Sequence, residues 1–205
     1  MKTKGSLNSG TRSPDETTYG KFWYEFSDIG WNRITRIVSA SHDLDLARSA
    51  RLFALVNIAL ADSWIAGWDS KQYYDFWRPI TAIRAWDTDG NPATEADPTW
   101  EPLMVTPPIQ DYPSTHSVLG DSAAEILGSI LGDETAFTTT STTATNPETE
   151  VRSFNSFTQA ADENGDSRVM VGIHFRSAVN AGQRMGREIG RYVYQNLLRR
   201  QHGSK

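Results

Sequence analysis

The sequence predicts an all-α fold, a helical bundle interrupted by one long Pro-rich loop and one short Thr-rich β-hairpin. Three stretches predict it. From Asp43 to Gly67 the apolar residues Leu46, Leu52, Phe53, Leu55, Val56, Ile58, Ala59, Leu60 and Ile65 cover nearly every face of a helix, the pattern of a buried central element. "STHSVLGDSAAEILGSILG" opens on hydroxyl residues that can cap free N–H groups and closes on Gly132, which can end a helix without steric cost. From Ser177 to Arg200 the residues Val179, Met185, Ile189, Val193 and Leu197 recur at helical spacing, and the basic end complements the helix dipole.

Taken in order, residues 1–20 are rich in Ser, Thr, Gly and charge and are expected to form a flexible N-terminal tail, with one helical domain over 21–200. "KFWYEF" is the first segment whose aromatics need something to pack against. Asp43 is the expected N-cap of the first long helix, and a second helix is expected from about Lys71 to Trp86, with Pro79 as a kink or boundary. The run from Asp87 to Pro113 is dense in Pro, Asp and Gly; a loop of that length usually borders a site. Thr135–Thr149 suits a hairpin or an irregular excursion, and Glu150–Asn164 reads as another helix. No internal repeat is present.

Composition removes several classes of function. With no cysteine among 205 residues, disulfides, thiolate chemistry and cysteine-based zinc sites are excluded. A net charge of -5, with 20 Lys and Arg thinly spread, offers no basic stripe for nucleic acid or an anionic membrane. Leu52–Ala61 is interrupted by Asn57 and followed by Asp62, too short and too polar for a membrane span, and "MKTKGSLNSG" has no apolar signal region. A soluble protein is expected. Compartment and oligomeric state, a homo-oligomer included, stay open.

Chemistry concentrates in "KQYYDFWRP", "YPSTHS" and "SRVMVGIH". On a continuous helix Lys71 and Arg78 would project from one face about 10 Å apart along the axis and could converge on one anion. Ser114, Thr115 and His116 stand where a helix begins, so backbone N–H groups and hydroxyls can cradle an oxyanion. Arg168 adds a cation, and Gly172 lets the chain turn so that His174 can meet it. Each element alone has an ordinary reading as a solvated pair, a helix cap or a structural histidine. Together they suit a tetrahedral oxyanion.

The combination Lys-x6-Arg-Pro (Lys71, Arg78, Pro79), Pro-Ser-x-His (Pro113, Ser114, His116) and Ser-Arg-x5-His (Ser167, Arg168, His174) resembles the tripartite signature of vanadium-dependent haloperoxidases and type 2 phosphatidic acid phosphatases. The flanks "ARLFALVNIALADSWIAGWDSKQYYDFWRPITAIR" and "SRVMVGIHFR" resemble the soluble haloperoxidase branch. The resemblance covers about residues 20 to 200, and proteins of that branch carry further N-terminal helices.

It implies a helical bundle in which His174 is the metal ligand of a vanadate. Lys71, Arg78 and Arg168 would neutralise the oxygens, Ser114 and the Thr115 amide would donate to them, and His116 would be the acid-base residue. Hydrogen peroxide, halide and a small organic acceptor are the implied partners, with Lys71 polarising the peroxide. With phosphate in the same site, the implied activity is acid phosphatase action on a phosphate monoester, His174 being the nucleophile. A non-enzymatic oxyanion binder is the third reading.

Two positions depart from the family pattern. Thr115 stands where glycine is usual, adding a β-branched side chain beside the oxyanion. Ala178 stands where an acidic residue follows the histidine by one helical turn; a carboxylate there would orient the imidazole, and a backbone carbonyl or Asn180 is the expected substitute. Asp62 is expected to be buried with a partner, Trp77 to pack under the site, and Arg176 to be a surface or salt-bridge residue. His42 and His202 have no partner pattern.

Overall fold

The central helix of the protein is not the longest one. The computed structural model describes residues 1–147 and 150–199. In chain order it contains α1 (Lys2–Gly5), α2 (Pro14–Phe22), α3 (Ser27–Ser41), α4 (Leu46–Tyr74), α5 (Pro79–Arg84), a 3-10 turn (Trp86–Thr88), α6 (Thr115–Leu131), β1 (Phe137–Thr139), β2 (Arg152–Phe154), α7 (Phe157–Met170) and α8 (Arg176–Asn196). α6 lies in the middle, packed against α3, α4, α7 and α8. Its run from Val118 to Ala124, small and apolar apart from Asp121, is buried with Ile126 and Leu127 on every side.

α4 takes a flanking place. Leu52, Leu55, Val56, Ala59 and Leu60 face the core, and Ser63, Gly67 and Lys71 continue the same face toward the C-terminal end. The opposite face, with Leu46, Ile65 and Trp68, is exposed. Thus the expected buried central helix is half-buried, because apolar composition does not supply a covering partner. The stretch Leu46–Arg84 is long and apolar enough to cross a membrane by length and composition. The shorter window read in the sequence missed this, since apolar residues resume beyond Asp62. Here the inner face of α4 packs on α6 and α8.

Boundaries differ from the expected ones for local reasons. The N-cap of α4 is Asp45, whose carboxylate accepts from the Arg48 N–H at 2.8 Å, whereas Asp43 sits in a left-handed turn. α4 runs on to Tyr74, ends at Asp75 with φ 41°, and Pro79 opens α5. Proline disfavours helical backbone at the residue before it, so Arg78 falls outside both helices and does not share a continuous face with Lys71. Within Glu150–Asn164 only the later part is helical. Arg152–Phe154 pairs with Phe137–Thr139, and Ser156 caps α7 by accepting from the Gln159 N–H. Phe137, Phe154 and Phe157 bring their rings together beneath this hairpin, which explains the strand on the basis of packing.

The first twenty residues are not a loose tail. Ser13 and Glu16 form a capping box at the start of α2, and Tyr19 is buried. Arg12 donates to the carbonyls of Ser6 at 2.8 Å and Met170 at 3.3 Å, tying this segment to the end of α7. α8 lies close against α6 along Gly182, Gly186 and Gly190; a Cβ at Gly186 would strike the Val118 carbonyl. Met185 and Ile189, expected in the core, are only partly buried beside this glycine seam. α8 ends at Asn196, and Arg200 lies outside the described residues.

Candidate functional site

The N-terminus of α6, the end of α4, the residue preceding α5 and the turn between α7 and α8 converge on one cavity of about 570 Å³. Lys71, Arg78, Thr115, His116, Arg168 and His174 line it, with Tyr24, Trp64, Trp68 and the loop Val105–Ile109. Gly172, with φ 83°, turns the chain after α7 so that His174 points back toward Arg168. The close approach of Gly5 to Gly172 leaves no room for a side chain there, so α1 braces the same turn.

Each cation is fixed by backbone carbonyls. Lys71 Nζ donates to Gln110 at 2.7 Å, Asp111 at 3.0 Å and Pro113 at 2.7 Å, which commits all of its ammonium protons and clamps the Pro-rich loop to α4. The Arg78 guanidinium donates to Ile109 at 2.6 Å and Ile173 at 2.7 Å, and lies 2.9 Å from His174 Nε2. A guanidinium only donates, so Nε2 carries the lone pair and Nδ1 the proton. Arg168 donates to the Trp23 carbonyl at 3.1 Å, while its buried Nε has no partner among the described residues. The same carbonyl lies 2.7 Å from His116 Nε2; it can only accept, so His116 keeps its proton on Nε2 and offers the Nδ1 lone pair.

Ser114 and Thr115 divide their tasks. Ser114 is fully buried, accepts from the Ser117 N–H as the N-cap of α6, and is not among the residues lining the cavity. Thr115 lines it, but its methyl and hydroxyl pack on Gly67 of α4, which has no side chain to oppose them. The crowding expected from Thr115 is thereby directed toward α4.

Sequence reasoning missed Asp111. It is fully buried, with Oδ1 2.8 Å from His174 Nδ1 and 3.8 Å from Arg78. The approach to Nδ1 is short but oblique, neither atom makes a well-formed hydrogen bond among the described residues, and the Phe175 backbone N–H acts on the same carboxylate. One acidic residue within the apolar run "PPIQDYP" beside the second motif was the available signal. Asn180 is exposed, and the Ala178 carbonyl is taken by the Ser114 N–H at 2.9 Å. The Trp23 carbonyl left no signal, since any residue provides one.

Elsewhere, Asp62 is partly buried and makes no hydrogen bond or ion pair among the described residues. Trp77 faces a neighbouring groove with Ile80 and Pro102. Arg176 pairs with Asp166 at the surface, His42 bonds the Val38 carbonyl of its own helix at 2.9 Å, and His202 lies outside the described residues.

Burial pushes Lys71 down to about 7, with the Arg78 charge adding to the effect and Asp111 opposing it. The three carbonyls around Nζ favour the ammonium. Burial likewise pulls Arg78 to about 10 and, helped by Arg78, Arg168 to about 9. Both histidines are held well below their ordinary range by burial and then by neighbouring cations. Burial raises Asp111 to about 7 against the pull of Arg78 and Lys71.

The cavity thus collects Lys71, Arg78 and Arg168 near Asp111, while the other carboxylate lining it, Glu25, is neutralised by Arg33, a balance that a bound oxyanion would correct. Vanadate fits this donor set: it brings negative oxygens to the cations and can take one imidazole nitrogen. Among the described residues no group of His, Cys, Asp and Glu is placed to hold a bare metal ion.

Residues 51–203 match the family model of the VCPO second helical-bundle domain. The chain belongs to that family, within the vanadium haloperoxidase superfamily. It is 34% identical over 148 residues to the vanadium chloroperoxidase of Curvularia inaequalis, a match covering 60% of this chain and 24% of that protein. A bacterial vanadium-dependent iodoperoxidase superposes with a TM-score of 0.78 at 32% identity, covering 89% of this chain and 44% of the other. A holo-type bacterial vanadium-dependent chloroperoxidase shares the fold, with a TM-score of 0.71 at 18% identity over 94% and 45% of the two chains. The chain of this haloperoxidase relative spans about a quarter of the curated protein and less than half of either solved one.

Proposed function

We propose that this protein is a vanadate-dependent haloperoxidase-like enzyme that oxidises halide with hydrogen peroxide and delivers the oxidised halogen to a small organic acceptor. One observation carries the reading: the buried Lys71, Arg78 and Arg168 gather at a cavity faced by two neutral imidazoles, where the nearby carboxylates are already engaged, Asp111 against His174 and Glu25 with Arg33. Vanadate, when bound, supplies the Lewis-acid centre at which peroxide is activated.

The chain's own residues do the rest. His174 presents the Nε2 lone pair as the metal ligand, and Arg78 turns its donors from that nitrogen to the oxyanion. Arg168, whose Nε is free, adds donors, as does the Thr115 N–H at the start of α6. Lys71 acts mainly as a fixed charge, since polarising peroxide would require it to release one of its carbonyls. Ser114 acts through the backbone it caps. His116 Nδ1 accepts or returns a proton on the cavity side, held in place by the Trp23 carbonyl.

A second reading, acid phosphatase action through a phosphohistidine at His174, is favoured by Asp111. A carboxylate at Nδ1 supports an imidazole nucleophile as well as a metal ligand. The deciding experiment loads the protein with vanadate and measures peroxide-dependent oxidation of iodide, bromide and chloride, alongside metal-free hydrolysis of p-nitrophenyl phosphate. Halide oxidation that disappears on removing vanadate supports the first reading. Hydrolysis inhibited by vanadate, with no halide oxidation, replaces it by the second. Vanadate binding without either turnover leaves an oxyanion binder.

A further inference from the structure

We infer that Asp111, contributed by the Pro-rich loop, is the positioning residue of His174, filling from another segment the place that a carboxylate at position 178 would hold. The inference rests on the oxyanion reading of the site for its consequence, and on geometry for its substance. Asp111 Oδ1 stands 2.8 Å from Nδ1, and its side chain is fully buried. The residue is anchored from both sides of its peptide: its N–H donates to the Phe76 carbonyl at 2.8 Å and its carbonyl accepts from Lys71 at 3.0 Å. Position 178 cannot serve, being a buried alanine whose carbonyl is occupied by the Ser114 N–H.

Two groups hold the His174 proton on Nδ1: Arg78, which approaches Nε2 at 2.9 Å, and Asp111 on the other side of the ring. An oxyanion entering the cavity draws the Arg78 donors to itself. From then on Asp111 alone keeps the lone pair on Nε2 and the ring turned toward the ligand. Lys71 links the loop to α4 at the same residue, so the carboxylate is carried by a backbone that the site's own cation holds in place.

The test uses vanadate affinity, by equilibrium dialysis, and the ¹⁵N resonances of the histidine ring nitrogens. Asp111→Ala lowers vanadate affinity by about 10- to 100-fold, the range for removing the partner of a metal-bound histidine. Adding Ala178→Asp to that variant recovers most of the loss by supplying a carboxylate from the other side of the seam. In ligand-free protein, Arg78→Met keeps His174 protonated at Nδ1, whereas Arg78→Met with Asp111→Ala gives a mixture of tautomers. The resonances need no bound vanadate, so they test Asp111 even if the wild type binds neither vanadate nor phosphate, the result that would end the functional reading. Unchanged vanadate affinity in Asp111→Ala, or ring resonances in Arg78→Met with Asp111→Ala that match those of Arg78→Met alone, overturns the inference. If that variant does not fold, either result with Asp111→Asn in its place overturns it.

Discussion

α6 carries two buried charged clusters, one at its N-terminus and one halfway along, and they are balanced in opposite directions. At the N-terminus Lys71 and Arg78 lie near one carboxylate, Asp111, and Arg168 has no ion-pair partner among the described residues. Halfway along, Asp121 is buried beside a small cavity of about 260 Å³; Arg187 of α8 pairs with one of its oxygens, and the other has no hydrogen-bonding partner among the described residues. Burial, opposed first by Arg187 and reinforced by Asp162 and Glu125, pushes Asp121 up to about 8. A carboxylate left in excess can take a proton, whereas a guanidinium in excess has no such exit under ordinary conditions. The acidic cluster therefore settles its own charge, and the basic one waits for an anion. Sign and titratability, more than the number of charges, separate a ligand site from a structural pair.

The largest expected difference comes from deleting a cation at each place. Arg168→Met removes a buried charge that has no anionic partner among the described residues, so ligand-free protein should melt higher, by the equivalent of about 1 kcal/mol or more. The same variant should lose the stabilisation by vanadate, which for wild type is about 2.7 kcal/mol at a concentration 100 times Kd. Arg187→Met should do the reverse: it leaves Asp121 unpaired and lowers the melting temperature, while the vanadate-induced shift is kept. Thermal melting with and without vanadate reads both. A vanadate shift that survives in Arg168→Met, or is lost in Arg187→Met, breaks the contrast.

Next in size are the glycines of the α6–α8 seam, where a methyl group would overpack backbone at a cost of about 1 to 3 kcal/mol. A Cβ at Gly182 meets the Ser114 carbonyl, at the start of α6, while one at Gly190 meets Ser122 and Glu125 farther along. Gly182→Ala should therefore weaken vanadate binding as well as stability, and Gly190→Ala stability alone. Equal effects on binding would mean that the seam moves as one rigid body.

Much of this was legible in the sequence. Lys71, Arg78, His116, Arg168 and His174 could be named from motif spacing, because the side chains that line the cavity are spaced by short segments whose turns Pro79, Pro113 and Gly172 mark. The ends of α6 were legible for the same local reason, hydroxyl at the start and glycine at the finish. What depends on distant partners was not legible. Asp111 reads as one more loop acid until the fold sets it against His174, and polar composition hid the capping box that makes residues 14–22 helical. Periodicity also misjudged centrality: α4 is apolar all round yet exposed on one side, while α8 reaches the core through glycines that a hydrophobic pattern scores as gaps.

The smallest change in stability is expected from Asp121→Asn, and its signature is a slope rather than a size. At about pH 4.5, where Asp121 is neutral in the folded protein, asparagine replaces one neutral buried group by another, so stability should move by less than about 1 kcal/mol. The folded-state pKa of about 8 lies above the ordinary carboxylate value, so between roughly pH 4 and 8 the folded protein holds a proton that the unfolded chain has released. This stabilising contribution is complete below the unfolded value and lost as pH rises through about 8. Asparagine does not titrate. The variant should therefore gain on wild type as pH rises across that window, measured as the difference of their denaturant midpoints from pH 4.5 to 8. A difference independent of pH would mean that Arg187 keeps Asp121 ionised throughout, making the two clusters of α6 alike in holding permanent charge.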